Sequence, residues 1–456
     1  MALTSILVLP GSGLQAGNPD SVADLLLSDE IDRAETLLQQ QAHTAESLAF
    51  RGEIEYRRGN FAQAESFYLE SVQMDPETAR AHFGLGKLAL TKLKSQEAIV
   101  FFKRAMQIAP SEPLPHLYAG EAYGIEKDYA GQASALREFL KLSPDDTDRQ
   151  AEAKCALEML AALGAEGIGI TEAPDDPRPL PFQTTLNLLF ASVTINGQGP
   201  FRFAIDTGAT QLVLAENLAT SLGLEPITTT LMHGVGGGGR VESKLFKLNE
   251  LTLADLKLKN LPLGTFNDPL VSQIADGILG TAVLSDFIIT VDYAENCLEF
   301  SKKTRLDDST EVLPARYFSN LLLIPIELND GLHGNFIVDT GAVTTVLSRT
   351  MAAKLGVTQD TPDAEVDVGL AGVGGLEGVV LRVPEITLKT KKHSATFPRL
   401  VAIDFQGISR MIGTEISGIV GNDFLSRFRI TLDYKTAEVH LADQLNFFPG
   451  RTVPAT

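Results

Sequence analysis

The C-terminal half of this chain contains one sequence pattern twice, and this duplication limits the possible folds more than any other feature. Residues 187–224 align without a gap with residues 320–357, and 14 of the 38 positions are identical. The central motif, Asp206-Thr207-Gly208-Ala209, recurs as Asp339-Thr340-Gly341-Ala342. Such a chain is expected to fold into two similar units related by an approximate twofold axis, with the two motifs at equivalent places.

Other matched segments follow in the same order in both copies. Short β-branched and leucine-rich runs alternate with Gly and Asn turns, which predicts an all-β structure with short helices. Each copy has a glycine-rich segment, an apolar-apolar-Gly segment and a Thr-apolar-Asp-Tyr segment, at 233–239, 278–280 and 290–293 and again at 371–377, 419–421 and 431–434. We therefore expect a first lobe at residues 182–301, a charged connector at 302–315 and a second lobe at 316–445.

A period of 34 residues marks the N-terminal part of the chain. Proline and glycine recur at this interval, at Pro76, Pro110 and Pro144 and at Gly52, Gly86 and Gly120. The pattern resembles the tetratricopeptide repeat (TPR), in which proline ends the second helix of each unit and small residues let two helices pack closely. We expect an all-α repeat array at residues 20–163. Its groove would bind a peptide or a partner protein; alternatively, the stacked helices only bury each other.

The remaining segments have no clear periodicity. Residues 164–181 contain Gly, Pro and Asp, which is typical of a flexible linker. Residues 1–19 and 446–456 are expected to be tails. The apolar run at 2–10 and the small residues up to Ala16 are similar to a secretory signal without its basic leading segment. The chain would be periplasmic or secreted if this segment is a signal remnant, and cytoplasmic otherwise.

Composition excludes several classes of function. The chain has 38 Lys and Arg against 58 Asp and Glu, a formal net charge of −20, so no basic patch is expected for nucleic acid. No run of 18 or more uncharged apolar residues is present, so no membrane-spanning helix is expected. The two cysteines, Cys155 and Cys297, fall in different predicted domains, and the seven histidines are scattered. We therefore expect no disulfide framework, no metal site and no cofactor.

Each C-terminal copy resembles one subunit of a retroviral-type (retropepsin-like) aspartic protease. The resemblance rests on the apolar strand that leads into Asp-Thr-Gly-Ala, the later Gly-Val-Gly-Gly segment and the apolar-apolar-Gly segment. It implies two tandem all-β lobes that form a bilobed unit, and hydrolysis of peptide bonds in a polypeptide substrate. Because one chain contains both copies, it is expected to work as a single chain.

The resemblance assigns roles to the matched residues. Asp206 and Asp339 would be the catalytic pair, because two nearby carboxyls share one proton and can act as acid and base on one water. Thr207 and Thr340 would bond across to the opposite loop, and Gly208 and Gly341 would allow the tight turn. Ala209 and Ala342 stand where pepsin-like enzymes have Ser, so the pair is expected to stay partly protonated to higher pH.

The glycine-rich segments would be flaps that close over substrate. The predicted flap residues are Gly234, Val235, Gly236 and Gly237 in the first copy and Gly372, Val373, Gly374 and Gly375 in the second. Glycine permits the backbone motion and the close approach that a flap needs.

The sequence departs from the retroviral pattern at one pair of positions in each copy. Many retroviral enzymes follow Asp-Thr-Gly-Ala with Asp and the later apolar-apolar-Gly with Arg, and these two residues pair. Here Thr210 and Val343 replace that Asp, and Thr281 and Asn422 replace that Arg. No charge is left unpaired, because both partners are absent together in both copies.

Two hypotheses from different classes remain open. The first is an aspartic endopeptidase whose TPR domain recruits a substrate or partner. The second is a non-catalytic scaffold in which the repeats and the duplicated β region bind proteins without cutting them. On the first hypothesis, removal of residues 1–164 is expected to leave cleavage of short peptides largely intact.

Overall fold

The structure is a computed structural model, which describes most of the chain. The described residues are 21–143, 147–164, 167–172, 178–233, 240–283, 285–302, 310–329, 331–372 and 375–444. The two predicted tails therefore lie outside the described residues.

The N-terminal region is all-α. Its described helices are α1 (Val22–Leu27), α2 (Ile31–Leu38), α3 (Ala45–Arg57), α4 (Phe61–Met74), α5 (Ala79–Thr91), α6 (Ser95–Ile108), α7 (Leu114–Ile125), α8 (Tyr129–Leu142) and α9 (Thr147–Leu163). The 34-residue period corresponds to the helix pairs α3–α4, α5–α6 and α7–α8. Gly52 and Gly84 both lie against the ring of Tyr68, where an added Cβ would come within 2.6 and 2.2 Å of ring atoms. The small residues therefore allow the close helix packing that the repeat pattern predicts.

The first β lobe follows this helical region. Its elements are β1 (Gly169–Glu172), β2 (Leu180–Thr185), β3 (Leu188–Ile195), β4 (Gln198–Ile205), β5 (Leu212–Ala215), α10 (Glu216–Ser221), β6 (Pro226–His233), β7 (Arg240–Leu253), β8 (Leu256–Phe266), α11 (Pro269–Ile274), β9 (Gly277–Leu279), β10 (Ile288–Asp292) and β11 (Cys297–Ser301). Strands β3, β4, β9, β5, β8 and β7 are neighbours in this order, and β3 also pairs with β7. The six strands thus close into a ring around an apolar core.

The second lobe repeats this topology. Its elements are β12 (Glu311–Pro314), β13 (Arg316–Phe318), β14 (Leu321–Leu328), β15 (Leu332–Val338), β16 (Val346–Ser348), α12 (Arg349–Lys354), β17 (Glu365–Gly372), β18 (Gly375–Lys389), β19 (Ser394–Ile403), α13 (Gln406–Ile412), β20 (Gly418–Val420), α14 (Asn422–Leu425), β21 (Phe428–Asp433) and β22 (Glu438–Asp443). Strands β14, β15, β20, β16, β19 and β18 form the equivalent ring, which β14 closes by pairing with β18. The predicted fold class, a helical repeat region followed by two β lobes, is confirmed.

A sheet shared by both lobes joins them. Strand β10 of the first lobe pairs with β21 of the second, with Thr290 opposite Thr431. The hydroxyls of these two threonines lie 2.8 Å apart. Since Thr290 and Thr431 are matched positions of the duplication, the approximate twofold axis passes between these strands.

The helical region packs directly against the second lobe. The rings of Tyr56 and Phe61 contact Phe318, with centroids 6.5 and 5.9 Å apart. The Thr414 hydroxyl donates to the Tyr56 carbonyl at 2.8 Å, and the Glu415 N–H donates to the Arg57 carbonyl at 2.7 Å. This contact differs from the expectation that a flexible linker separates the two halves.

Parts of the predicted linker and connector form strands. Strand β1 lies within residues 164–181 and pairs with β8, and β12 lies within residues 302–315 and pairs with β22. Helix α9 packs on the first lobe, where the Lys247 ammonium donates to the Ala162 carbonyl at 3.1 Å. These pairings attach the ends of both segments to the β lobes. Among the described residues, no helix has the length and apolar character required to cross a membrane.

Candidate active site

Equivalent loops place Asp206 and Asp339 directly after strands β4 and β15, at the ends of these strands that are most buried. Strand β4 runs parallel to β9, and β15 runs parallel to β20. Beyond these pairs, the Asp206 N–H donates to the Leu279 carbonyl at 3.2 Å and the Asp339 N–H donates to the Val420 carbonyl at 3.1 Å. The apolar-apolar-Gly segments therefore lie beside the aspartate loops and hold them in place.

Reciprocal hydrogen bonds between two buried threonines lock the aspartate loops together. The Thr207 N–H donates to the Thr340 hydroxyl at 3.1 Å, and the Thr340 N–H donates to the Thr207 hydroxyl at 2.9 Å. Each hydroxyl in turn donates across the axis, from Thr207 to the Val338 carbonyl at 2.8 Å and from Thr340 to the Ile205 carbonyl at 2.9 Å. Each threonine hydroxyl both accepts and donates, so these four hydrogen bonds together fix the relative position of the two loops.

The two carboxyls meet at this axis. They are hydrogen-bonded to each other, and each lies against the glycine of the opposite loop. A Cβ added at Gly208 would come within 2.4 Å of the Asp339 carboxyl carbon, and one at Gly341 would come within 2.3 Å of the Asp206 carboxyl carbon. Only glycine leaves room for the carboxyls to approach.

Hydrogen-bond donors distinguish the two carboxyls. One oxygen of Asp206 accepts the N–H groups of Gly208 and Ala209, each at 2.9 Å. Burial raises the pKa of Asp206, while these donors and Asp339 oppose the rise. Burial, and then the neighbouring charge of Asp206, raise the pKa of Asp339 well above its usual value. These donors favour the ionised form of Asp206, whereas burial and the charge of Asp206 favour the protonated form of Asp339, and the two carboxyls titrate as one coupled pair.

Comparison with known protein families agrees with this geometry. Residues 191–283 and 324–424 match the family described as aspartyl protease. This part of the chain, the aspartyl protease region, is similar to the retropepsin-like aspartyl proteases in both of its lobes. Each matched segment of this aspartyl protease region contains one Asp-Thr-Gly-Ala motif. Residues 51–113 match the tetratricopeptide repeat, so the predicted repeats are confirmed. No curated protein matches the chain.

Each predicted flap segment of the aspartyl protease region falls, in the sequence, between two strands that pair with each other. Strands β6 and β7 pair as far as His233 and Arg240, and Gly234, Val235, Gly236 and Gly237 lie between them, outside the described residues. Strands β17 and β18 pair as far as Gly372 and Gly375, while Val373 and Gly374 lie outside the described residues. The hairpin strands are therefore described, whereas closure of a flap over substrate stays a prediction.

The departures from the retroviral pattern separate into two groups. Val343 is 39% exposed and Thr210 is half-buried, each four residues after its aspartate. Thr281 and Asn422 are buried, and their side chains reach residues of the opposite lobe of the aspartyl protease region. Sequence reasoning identified these two positions only as substitutions and missed their contacts. The matched asparagines Asn187 and Asn320 and the matched tyrosines Tyr293 and Tyr434 were the available signals.

Among the described residues, no group of three or more His, Cys, Asp or Glu side chains could hold a metal ion. The acidic groups at the centre of the aspartyl protease region are the two aspartates described above. The absence of a metal or cofactor requirement stays a prediction.

The raised pKa of Asp339 leads to a prediction about stability. A folded-state pKa above the unfolded value contributes stability below the unfolded pKa, and this contribution is lost as the pH rises through the folded pKa. Since asparagine does not ionise, Asp339→Asn should gain stability relative to the wild type as the pH rises above about 4. Urea unfolding of both proteins across a pH series measures this gain.

Asp404→Asn provides the matched control, because Asp404 is an exposed aspartate of the same lobe. The difference between wild type and Asp339→Asn should grow with pH and exceed that of the control. A difference that stays constant across the series would show that Asp339 does not ionise with a raised pKa.

Proposed function

We propose that this chain is an aspartic endopeptidase. The observation that supports the proposal is the hydrogen-bonded pair of Asp206 and Asp339, one from each lobe. Two carboxyls that share one proton provide a base and an acid at the same place. Both aspartates come from one polypeptide, so we further propose that a single chain contains a complete site.

The proposed reaction uses both carboxyls on one water molecule. Ionised Asp206 takes a proton from the water while the water oxygen attacks the peptide carbonyl carbon. At the same time, Asp339 donates its proton to the carbonyl oxygen. The result is a neutral tetrahedral diol. As the C–N bond breaks, Asp206 gives its proton to the leaving nitrogen and one diol hydroxyl returns a proton to Asp339. The products are a carboxylic acid and an amine, and the pair regains its initial protonation state.

The local structure supports this division of roles. Asp206 accepts two backbone N–H groups on one oxygen, which favours the ionised form needed for a base. Burial and the charge of Asp206 favour the protonated form of Asp339, and they outweigh the Gly341 N–H, which donates to Asp339 at 2.7 Å and favours the ionised form. Activity should therefore decline at acid pH as Asp206 becomes protonated, and at higher pH as Asp339 loses its proton.

For the TPR region, we propose a supporting role toward the second lobe. Tyr56 and Phe61 face Phe318, and Arg316 lies over the Phe61 ring, 5.2 Å from its centroid. This packing favours a structural role over substrate recruitment for the part of the array that these residues form. Binding of a protein partner would use other faces of the array.

Inhibition and chelation together test the proposed chemistry. A statine-type peptide has a hydroxyl that takes the place of the attacking water, so it should lower the turnover of a peptide substrate by the full-length protein. Turnover should persist in EDTA, because the carboxyls transfer the protons themselves. The statine-type peptide without its hydroxyl is the matched control. Complete loss of turnover in EDTA, restored by added metal, would contradict the proposal.

A further inference from the structure

Two buried polar side chains, Thr281 and Asn422, occupy matched positions directly after the apolar-apolar-Gly segments. Thr281 is 1% exposed and Asn422 is 2% exposed. A buried polar group costs free energy unless it is hydrogen-bonded, so the partners of these side chains indicate their role.

The Asn422 amide joins three segments. Its nitrogen donates to the Thr340 carbonyl of its own lobe at 2.8 Å and to the Asn187 carbonyl of the first lobe at 2.6 Å. Its oxygen accepts the hydroxyl of Tyr293, which follows β10 of the first lobe, at 2.7 Å. Since Thr340 is adjacent to Asp339, Asn422 connects one aspartate loop to two parts of the opposite lobe.

Thr281 makes the equivalent connection from the first lobe. Its hydroxyl lies 3.1 Å from the Ala209 carbonyl of its own aspartate loop and 2.9 Å from the Asn320 carbonyl of the second lobe. The side chain also interacts with the hydroxyl of Tyr434, the match of Tyr293. The same three sequence positions therefore form a link on each side of the axis.

The turns reached by these links are equivalent as well. Asn187 and Asn320 have positive φ values of 60° and 71° in the two-residue turns that join β2 to β3 and β13 to β14. Asparagine tolerates this left-handed conformation better than most residues. The turn geometry directs each backbone carbonyl toward the buried polar residue of the other lobe.

We propose that Asn422 and Thr281 are positioning residues that hold the two aspartate loops at the separation required for proton sharing. This inference rests on the proposed function. Each residue contacts an aspartate loop on one side and the opposite lobe on the other, so its loss would let the carboxyls move apart. Asn422 should have the larger effect, because its amide bonds three partners while the Thr281 hydroxyl has one hydrogen for two carbonyls.

The test compares kcat, KM and the pH profile of full-length variants. Asn422→Ala should lower kcat by about 10- to 100-fold with a much smaller change in KM, because small displacements of reacting groups have effects of this size. The pH profile should narrow, because separated carboxyls interact less and their two pKa values move together. Thr281→Val should lower kcat, whereas Thr281→Ser, which retains the hydroxyl, should restore most of it.

Asn329→Ala is the matched control. Asn329 is an amide of the same lobe that accepts the Thr387 N–H at 3.0 Å and contacts no aspartate loop through that bond. Its loss should lower stability without changing kcat or the pH profile. Wild-type kcat and pH profile in both Asn422→Ala and Thr281→Val would overturn the proposal. So would a loss of kcat no larger than that of Asn329→Ala at equal folded fraction.

A second measurement separates this inference from the proposed function. If the wild type cleaves no peptide, the proposed function fails, and unfolding then tests the link without turnover. The double variant Tyr293→Phe/Asn422→Ala should lower the urea midpoint by less than the sum of the decreases in the two single variants, because both changes remove the same hydrogen bond. Additive effects would overturn the inference.

Discussion

Asp206→Asn and Asp339→Asn are each expected to lower kcat/KM for a peptide substrate by at least about 100-fold, the effect of losing a general acid or base. The reason is that each carboxyl is one half of a proton-sharing pair. Asparagine keeps the shape of the side chain but can neither accept nor release the proton. The fold should survive, because the threonine bonds that join the loops involve neither carboxyl.

The double variant gives the sharper test of this pair. Residues that act as one unit have strongly non-additive effects. Asp206→Asn combined with Asp339→Asn should therefore be little worse than either single variant. Asp404→Asn, the exposed control in the second lobe, should retain wild-type kcat/KM. Either single variant with more than a few per cent of wild-type activity would contradict the assignment.

Removal of residues 1–164 is expected to leave only a small yield of soluble, active protein. The contact between the helical region and the second lobe buries Phe318 against Tyr56 and Phe61, and helix α9 packs on the first lobe. Loss of one large buried aromatic contact costs about 3–5 kcal/mol, against a total stability of about 5–15 kcal/mol. The prediction reverses the expectation from sequence, which treated the two halves as separable.

Soluble yield, circular dichroism and activity per folded molecule of residues 165–456 measure this effect. A point variant tests the same contact in the full chain: Phe318→Ala should lower stability by about 3–5 kcal/mol. Leu186→Ala is the control, since Leu186 is 75% exposed in the matched turn of the first lobe and should change stability by less than about 0.5 kcal/mol. A soluble truncated chain with full activity on short peptides would contradict the account.

Periodic and duplicated features were predictable because the repeated residues can be read directly from the sequence. The 34-residue spacing, for example between Gly52 and Gly86, predicted the helix pairs, and the alignment of the two copies predicted two β lobes. The same alignment placed Asp206 and Asp339 at equivalent loops. Their proximity follows from the twofold relation between the copies, and it needs no knowledge of individual contacts.

Contacts between domains were not predictable, because an apolar residue buried between domains looks the same in sequence as one buried within a domain. Tyr56 and Phe61 fit the repeat pattern, and Phe318 fits a strand, so nothing indicated that they meet. Strand β1 is too short to produce a clear alternation. Thr281 and Asn422 are ordinary polar residues in sequence, and only the fold brings them to the opposite lobe.

Product analysis tests the central claim most directly. The purified full-length protein is incubated with a defined peptide library between about pH 3 and pH 8, a range that covers raised aspartate pKa values. Mass spectrometry then identifies the products, with Asp339→Asn treated in parallel. The account predicts new internal cleavage products from the wild type and almost none from the variant. Identical products from both proteins, or no products from a folded wild type at any pH, would contradict it.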